Sequence, residues 1–132
     1  MKLYAFRVFV DDWDRACQFY GLTLDLPIKF KDASMGWAEF DVGGPSLVLE
    51  RVVDDGVEGR SPAKRFLGIS LQVDDISATY QKLQEKGVRF TAPPEKQYWG
   101  GTLAHFKDPE GSTLTLLGLG LDSVEVLFAS LR

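Results

Sequence analysis

Val10-Asp11-Asp12-Trp13 returns 63 positions later as Val73-Asp74-Asp75-Ile76. Each copy follows an apolar run, Leu3 to Val10 and Phe66 to Val73, rich in the β-branched and aromatic residues that favour strands. An aspartate then stands where a helix needs a side-chain oxygen to take up its first free N–H groups. Beyond it, Trp13, Ala16, Cys17 and Tyr20 fall at i, i+3, i+4 and i+7, as do Ile76, Thr79, Tyr80 and Leu83 in the second copy. That spacing puts each quartet on one face of a helix. A strand followed by a helix has been written twice.

The echo continues downstream. Gly21 and Gly87, 66 apart, are each placed to end a helix in the left-handed conformation. Pro27 matches Pro93, Ala38-x-Phe40 matches Ala104-x-Phe106, and Leu47-Val48-Leu49 lies 67 before Leu114-Thr115-Leu116. Offsets that grow in small steps mean short loop insertions inside a duplicated unit. The unit reads strand, helix and three strands, a βαβββ module, which makes the chain α+β. Asp108-Pro109-Glu110-Gly111 predicts a hairpin turn, with proline preset for a central position and glycine for the left-handed bulge residue. Gly43-Gly44-Pro45 serves in the first copy. Module one takes residues 1–53 and module two residues 66–118, with a polar linker over 54–65 that carries Gly56, Gly59 and Pro62. A short C-terminal helix is predicted over 122–131, striped with Val124, Leu127, Phe128 and Leu131.

The 132 residues suit one globular domain, 45% hydrophobic and 26% charged. Fifteen basic residues against nineteen acidic ones leave a net charge of -4. That works against a nucleic-acid binder, which needs a basic stripe, and suits a neutral or cationic partner. Arg7 and Asp11-Asp12 cut short the N-terminal apolar stretch, so no secretory leader is read there. The uncharged run Gly111 to Leu121 falls well short of the ~20 apolar residues of a membrane span. The single cysteine, Cys17, has no intramolecular disulfide partner, which fits a reducing cytoplasm.

The tandem modules, Asp11-Asp12 with Phe19-Tyr20, Trp99-Gly100-Gly101 and the closing Asp108-Pro109-Glu110-Gly111 together resemble the vicinal-oxygen-chelate superfamily. That superfamily holds glyoxalase I, extradiol dioxygenases, fosfomycin-resistance enzymes and bleomycin-binding resistance proteins. The resemblance covers about residues 1–118. It implies that the strands form a cupped mixed sheet with helices outside and a pocket inside. It further implies a site completed by paired modules, commonly within a homodimer. Metal-using members carry four His, Gln or Glu ligands on the first and fourth strands of each module. Carried over, those positions fall on Ala5, Val48, Gly68 and Thr115. A divalent ion needs nitrogen or carboxylate donors at about 2.0–2.2 Å, and three of these residues have no side-chain donor at all. No metal or other cofactor is therefore expected, and the chain is nearest in character to the bleomycin-resistance branch. Sliding the fourth strand by two would bring in Glu50, and a displaced site of His105, Glu39 and Glu50 stays open as an alternative.

Strand alternation decides which side chains face the pocket the resemblance implies. A turn pairing Asp108 with Ser112 sets His105 opposite Thr115. Leu114 and Leu116 then face the helices, while Leu103, His105, Thr113 and Thr115 face inward. The duplicated frame puts Trp37, Glu39, Val48 and Glu50 inward as well. In the first strand Ala5, Arg7 and Phe9 share one face, with Tyr4, Phe6, Val8 and Val10 on the other. The candidate ligand-binding residues are Arg7, Phe9, Trp37, Glu39, Val48, Glu50, Tyr98, Trp99, His105 and Thr115. Arg7 is expected to pair with one of the glutamates, and Trp13 and Cys17 to be core.

The first functional reading is a metal-independent trap for an aromatic or cationic small molecule. The second is a glyoxalase-like lyase or isomerase using a displaced metal, or His105, Glu50 or Glu39 as acid and base. A regulatory subunit with a sensory pocket is the third.

Overall fold

The computed structural model describes residues 1–52 and 66–119; the linker and the C-terminal helix read from sequence lie outside them. Module one runs β1 (Ala5–Val10), α1 (Trp13–Gln18), β2 (Ile28–Asp32), β3 (Trp37–Phe40) and β4 (Ser46–Arg51). Its sheet has the order β1-β4-β3-β2, with β1 parallel to β4 and the other pairs antiparallel. The capping expected of Asp12 is present, its Oδ1 accepting the N–H of Arg15 at 3.1 Å. Trp13, Ala16, Cys17 and Tyr20 are all buried, as the helical spacing requires. They cover the sheet face that carries Val8, Val10, Ala38, Phe40, Leu47 and Leu49, each at most 1% exposed. Trp13 also donates its indole N–H to the Leu49 carbonyl.

Gly21 departs from expectation. It does not end the helix, because α1 widens into a π-helical turn over Phe19–Thr23, closed by Leu24 N–H on the Phe19 carbonyl. The left-handed residue is Asp25, at φ 57°. Gly21 serves packing instead: a Cβ there would meet the Phe40 ring at 3.3 Å.

Module two runs β5 (Phe66–Val73), α2 (Ile76–Glu85), β6 (Arg89–Phe90), β7 (Glu95–Lys96), β8 (Thr102–Lys107) and β9 (Thr113–Gly118). The sheet order is β5-β9-β8-β6, with β7 also on β8. The single second strand expected after the helix is therefore broken in two. Pro93 and Pro94 lie in the break and have no N–H to give to the ladder. Asp75 caps α2 through Ala78 N–H, and Gly87, at φ 87°, ends it as the duplication predicts. The hairpin also forms as read: Asp108 N–H bonds the Ser112 carbonyl at 2.9 Å, Gly111 sits at φ 87°, and His105 pairs with Thr115.

By contacts the chain divides into two compact units, and the turn Asp108–Ser112 belongs to the first, with module one. Tyr20, buried in α1's continuation, donates its hydroxyl to Asp108 Oδ2 at 2.9 Å. Asp108 Oδ1 accepts the N–H groups of Glu110 and Ser112, both at 2.9 Å, and Glu110 in turn accepts the N–H of Asp12.

Candidate functional site

The strand register of module one collects a set of side chains on the face away from α1. Arg7 lies beside Val48 and Phe9 beside Glu50 across the parallel pair. Across the antiparallel pairs, Val48 is opposite Glu39 and Glu50 opposite Trp37, while Phe30 is opposite Glu39. Partners in a ladder share a face, so Arg7, Phe9, Phe30, Trp37, Glu39, Val48 and Glu50 stand together. The expected pairing of Arg7 is with Glu50, at 3.3 Å, and the guanidinium also lies 5.3 Å over the Phe9 ring.

Glu39 is held differently. Its carboxylate accepts the Tyr4 hydroxyl at 2.7 and 2.9 Å on its two oxygens, and the Trp37 indole N–H at 3.0 Å. Only 8% of Glu39 is exposed. The Tyr4 hydroxyl, then the Trp37 N–H, hold the carboxyl below the usual glutamate value, overcoming the opposing effect of burial, with smaller help from Lys29 and the Ser46 hydroxyl. The same bond raises the Tyr4 phenol above its ordinary value. Lys29 is itself tied to Ser46 at 2.9 Å.

Tyr4 corrects the sequence reading, which put it on the α1 side with Phe6, Val8 and Val10. Regular strand begins only at Ala5, so alternation counted back from Val10 runs past the segment in which it holds. Phe30 and Lys29 were not foreseen either. Ile-Lys-Phe-Lys carries an alternating signal, but a register shift between Ile28 and Phe30 removes the parity that would have placed them.

In module two, His105 Nδ1 lies 2.8 Å from the Thr115 hydroxyl, on the face shared with Leu103 and Thr113. Trp99 folds onto its own loop: a Cβ on Gly101 would come within 2.0 Å of the Trp99 ring, so only glycine fits under it. Tyr98 beside it is fully exposed. Cys17 is buried, and burial pushes its thiol up, the opposite of what a nucleophile needs.

The positions to which the resemblance assigns metal ligands do not fit a metal. Ala5, Val48 and Gly68 offer no side-chain donor, and the Thr115 hydroxyl is engaged by His105. Glu50, the residue a strand slide would bring in, is bound by Arg7. Among the described residues no three His, Cys, Asp or Glu side chains come together to hold an ion.

A family model for the glyoxalase/bleomycin resistance protein/dioxygenase superfamily matches residues 2–116. A bleomycin resistance protein of Klebsiella pneumoniae is 32% identical over 113 residues, covering 80% of this chain and 83% of its own. Among solved structures, a superfamily member from Sphaerobacter thermophilus DSM 20745 superposes with a TM-score of 0.73 at 30% identity, covering 89% of this chain and 97% of that one. TnmS3, an antibiotic binding protein from Streptomyces sp. CB03234, gives 0.69 at 28% identity over 89% and 95%. The duplicated βαβββ frame and these matches lead to one conclusion: the chain belongs to the glyoxalase/bleomycin resistance protein/dioxygenase superfamily.

Proposed function

We propose that this protein is a metal-independent binder that sequesters an aromatic or cationic small molecule. The observation that carries the reading is the composition of one sheet face. It holds aromatic rings and two carboxylates, Phe9, Phe30, Trp37, Glu39 and Glu50, while the positions assigned to metal donors carry Ala5, Val48, Gly68 and Thr115. Large flat rings bury area at low entropic cost, and a few fixed polar groups orient what they hold. Arg7 supplies a polar contact on that face; in the second unit, taken by itself, His105 and Thr115 offer polar groups and Tyr98 and Trp99 stacking surface. Sequestration needs only mass action: a stoichiometric trap lowers the free concentration of its ligand without changing it. The relatives named as bleomycin resistance and antibiotic binding proteins support a small-molecule-binding role.

The same reading makes the protein a cytoplasmic homodimer. Its one cysteine is a buried free thiol, and Phe6, Ile28 and Phe30 leave about half of their surface uncovered on the two edge strands of the module-one sheet.

A thermal-shift screen of planar aromatic and cationic compounds, run with and without EDTA, tests the proposal. The midpoint should rise with ligand dose and not change with EDTA, because binding the native state alone stabilises it. Catalytic turnover of a candidate substrate, abolished by His105→Ala or Glu50→Ala or by metal removal, would overturn it in favour of a lyase or isomerase.

A further inference from the structure

Resting on that small-molecule-binding reading, we infer that Glu39 is the anchor for an alkylated ammonium group, seated against the rings of Tyr4, Phe30 and Trp37. The two carboxylates of the sheet face are not equivalent. Glu50 already has a guanidinium at 3.3 Å to balance it. Glu39 is more deeply buried, yet its direct donors are a phenol, an indole and a hydroxyl, all neutral, and among the described residues it has no ion-pair partner. Those donors favour the ionised form, so the charge persists rather than being relieved by protonation. Lys29 acts on it only through space, its ammonium being bonded to Ser46. A buried negative charge with no direct ion pair, and only Lys29 acting through space, costs free energy that a cationic ligand would recover in part.

The surroundings select the kind of cation. Tyr4 and Trp37 already occupy acceptor positions on both oxygens, which leaves little room for a primary ammonium with three N–H groups to satisfy. Three aromatic side chains stand by it instead: Tyr4, two-thirds exposed and bonded to it, Phe30, half exposed and opposite it in the ladder, and Trp37, bonded to it through the indole N–H. Rings of this kind hold methylated ammonium groups, which are weakly hydrated and need no acceptors.

The test titrates the full chain by calorimetry with benzyltrimethylammonium, with its neutral isostere neopentylbenzene, and with benzylammonium. The quaternary cation should bind roughly tenfold more tightly than the neutral isostere, and more tightly than the primary amine. Glu39→Gln should bring the cation and the isostere to within about threefold of each other. Glu85→Gln, which removes an exposed charge on α2, should leave the preference intact. Equal binding of cation and isostere, binding of neither, or a preference that survives Glu39→Gln overturns the inference. The comparison on the unaltered chain decides it even if Glu39→Gln does not fold. A chain that binds planar neutral aromatics without preferring the cation retains the broader binding role and loses only this anchor; a chain that binds nothing in either screen loses both.

Discussion

Glu39 and Asp108 are held in similar ways. Each carboxylate is more than nine-tenths buried, and each accepts a tyrosine hydroxyl, at 2.7 Å from Tyr4 and 2.9 Å from Tyr20. Their proton affinities nonetheless move in opposite directions. The Tyr4 and Trp37 donors hold Glu39 below the usual range. Burial pushes Asp108 above it, against the pull of Tyr20 and of the Ser112 and Glu110 N–H groups. Tyr20 differs from Tyr4 in the same sense: it is wholly buried, and burial raises its phenol well above the ordinary value, with the charge of Asp108 adding to the effect. Asp108 is enclosed by the chain and its acceptors are spent on holding the turn to the first unit. Glu39 accepts from the side chains of Tyr4, Trp37 and Ser46 and keeps a charge that Lys29 offsets only through space. One carboxylate belongs to the fold; the other is the one we propose for recognition.

On that division, Asp108 should dominate stability. Asp108→Ala strands the Tyr20 hydroxyl and the N–H groups of Glu110 and Ser112, and should cost about 3 kcal/mol in urea unfolding. A loss below about 1 kcal/mol would mean that water replaces the carboxylate and that the enclosure is not real. Tyr20→Phe removes one of the three donors while the ring stays packed, and should cost about 1 kcal/mol. In the double variant the two losses should fall short of additivity, since both delete the same bond.

The sequence disclosed these two carboxylates unequally. Asp108 could be placed at once, because the Asp-Pro-Glu-Gly turn fixes a local geometry that needs no knowledge of the rest. Its partner Tyr20 could only be read as core, since helical spacing shows that a side chain is buried and not what its hydroxyl meets. Glu39 was assigned to the correct face by carrying the register of β8 and β9 across the duplication, as were Trp37 and Glu50. What counting could not supply were departures from regularity. Alternation does not hold at Tyr4, ahead of the strand, and the β2 bulge hides Phe30. The π-helical turn moves the left-handed residue from Gly21 to Asp25. Repetition carried the fold and the position of Glu39, and failed at Tyr4 and Phe30 beside it.

The opposite pKa shifts make a sharper test, with a smaller effect on stability. Glu39, lower in the folded chain, contributes stability that is present above the ordinary glutamate value and lost as pH falls through its own depressed value. Asp108, raised on folding, contributes in the other sense: its share is present below the ordinary aspartate value and lost as pH rises through the elevated one. Carboxyl carbon NMR should therefore find Glu39 titrating below, and Asp108 above, the reference value for its own residue type. In unfolding curves measured against pH, Glu39→Gln should flatten the acid-side loss, and Asp108→Asn the loss on rising from it. Titration of both residues on the same side of reference would dissolve the comparison.

The third carboxylate sets the lower bound. Glu50 shares its sheet face with Glu39 but meets Arg7, whose side chain is 54% exposed against 22% for the glutamate. An ion pair this open gains little over hydration, because water screens the attraction and two long side chains must be held still. Glu50→Gln should change unfolding stability by no more than about 0.5 kcal/mol, with Arg7→Ala similar, and added salt should erase most of the difference. A cost approaching that of Tyr20→Phe would show that this face is closed to water and that Glu50, like Asp108, is committed to the fold. Near-neutrality would leave the sheet face as two charges held in different ways: Glu50 balanced by a direct ion pair in open solvent, and Glu39 buried with only Lys29 acting on it through space.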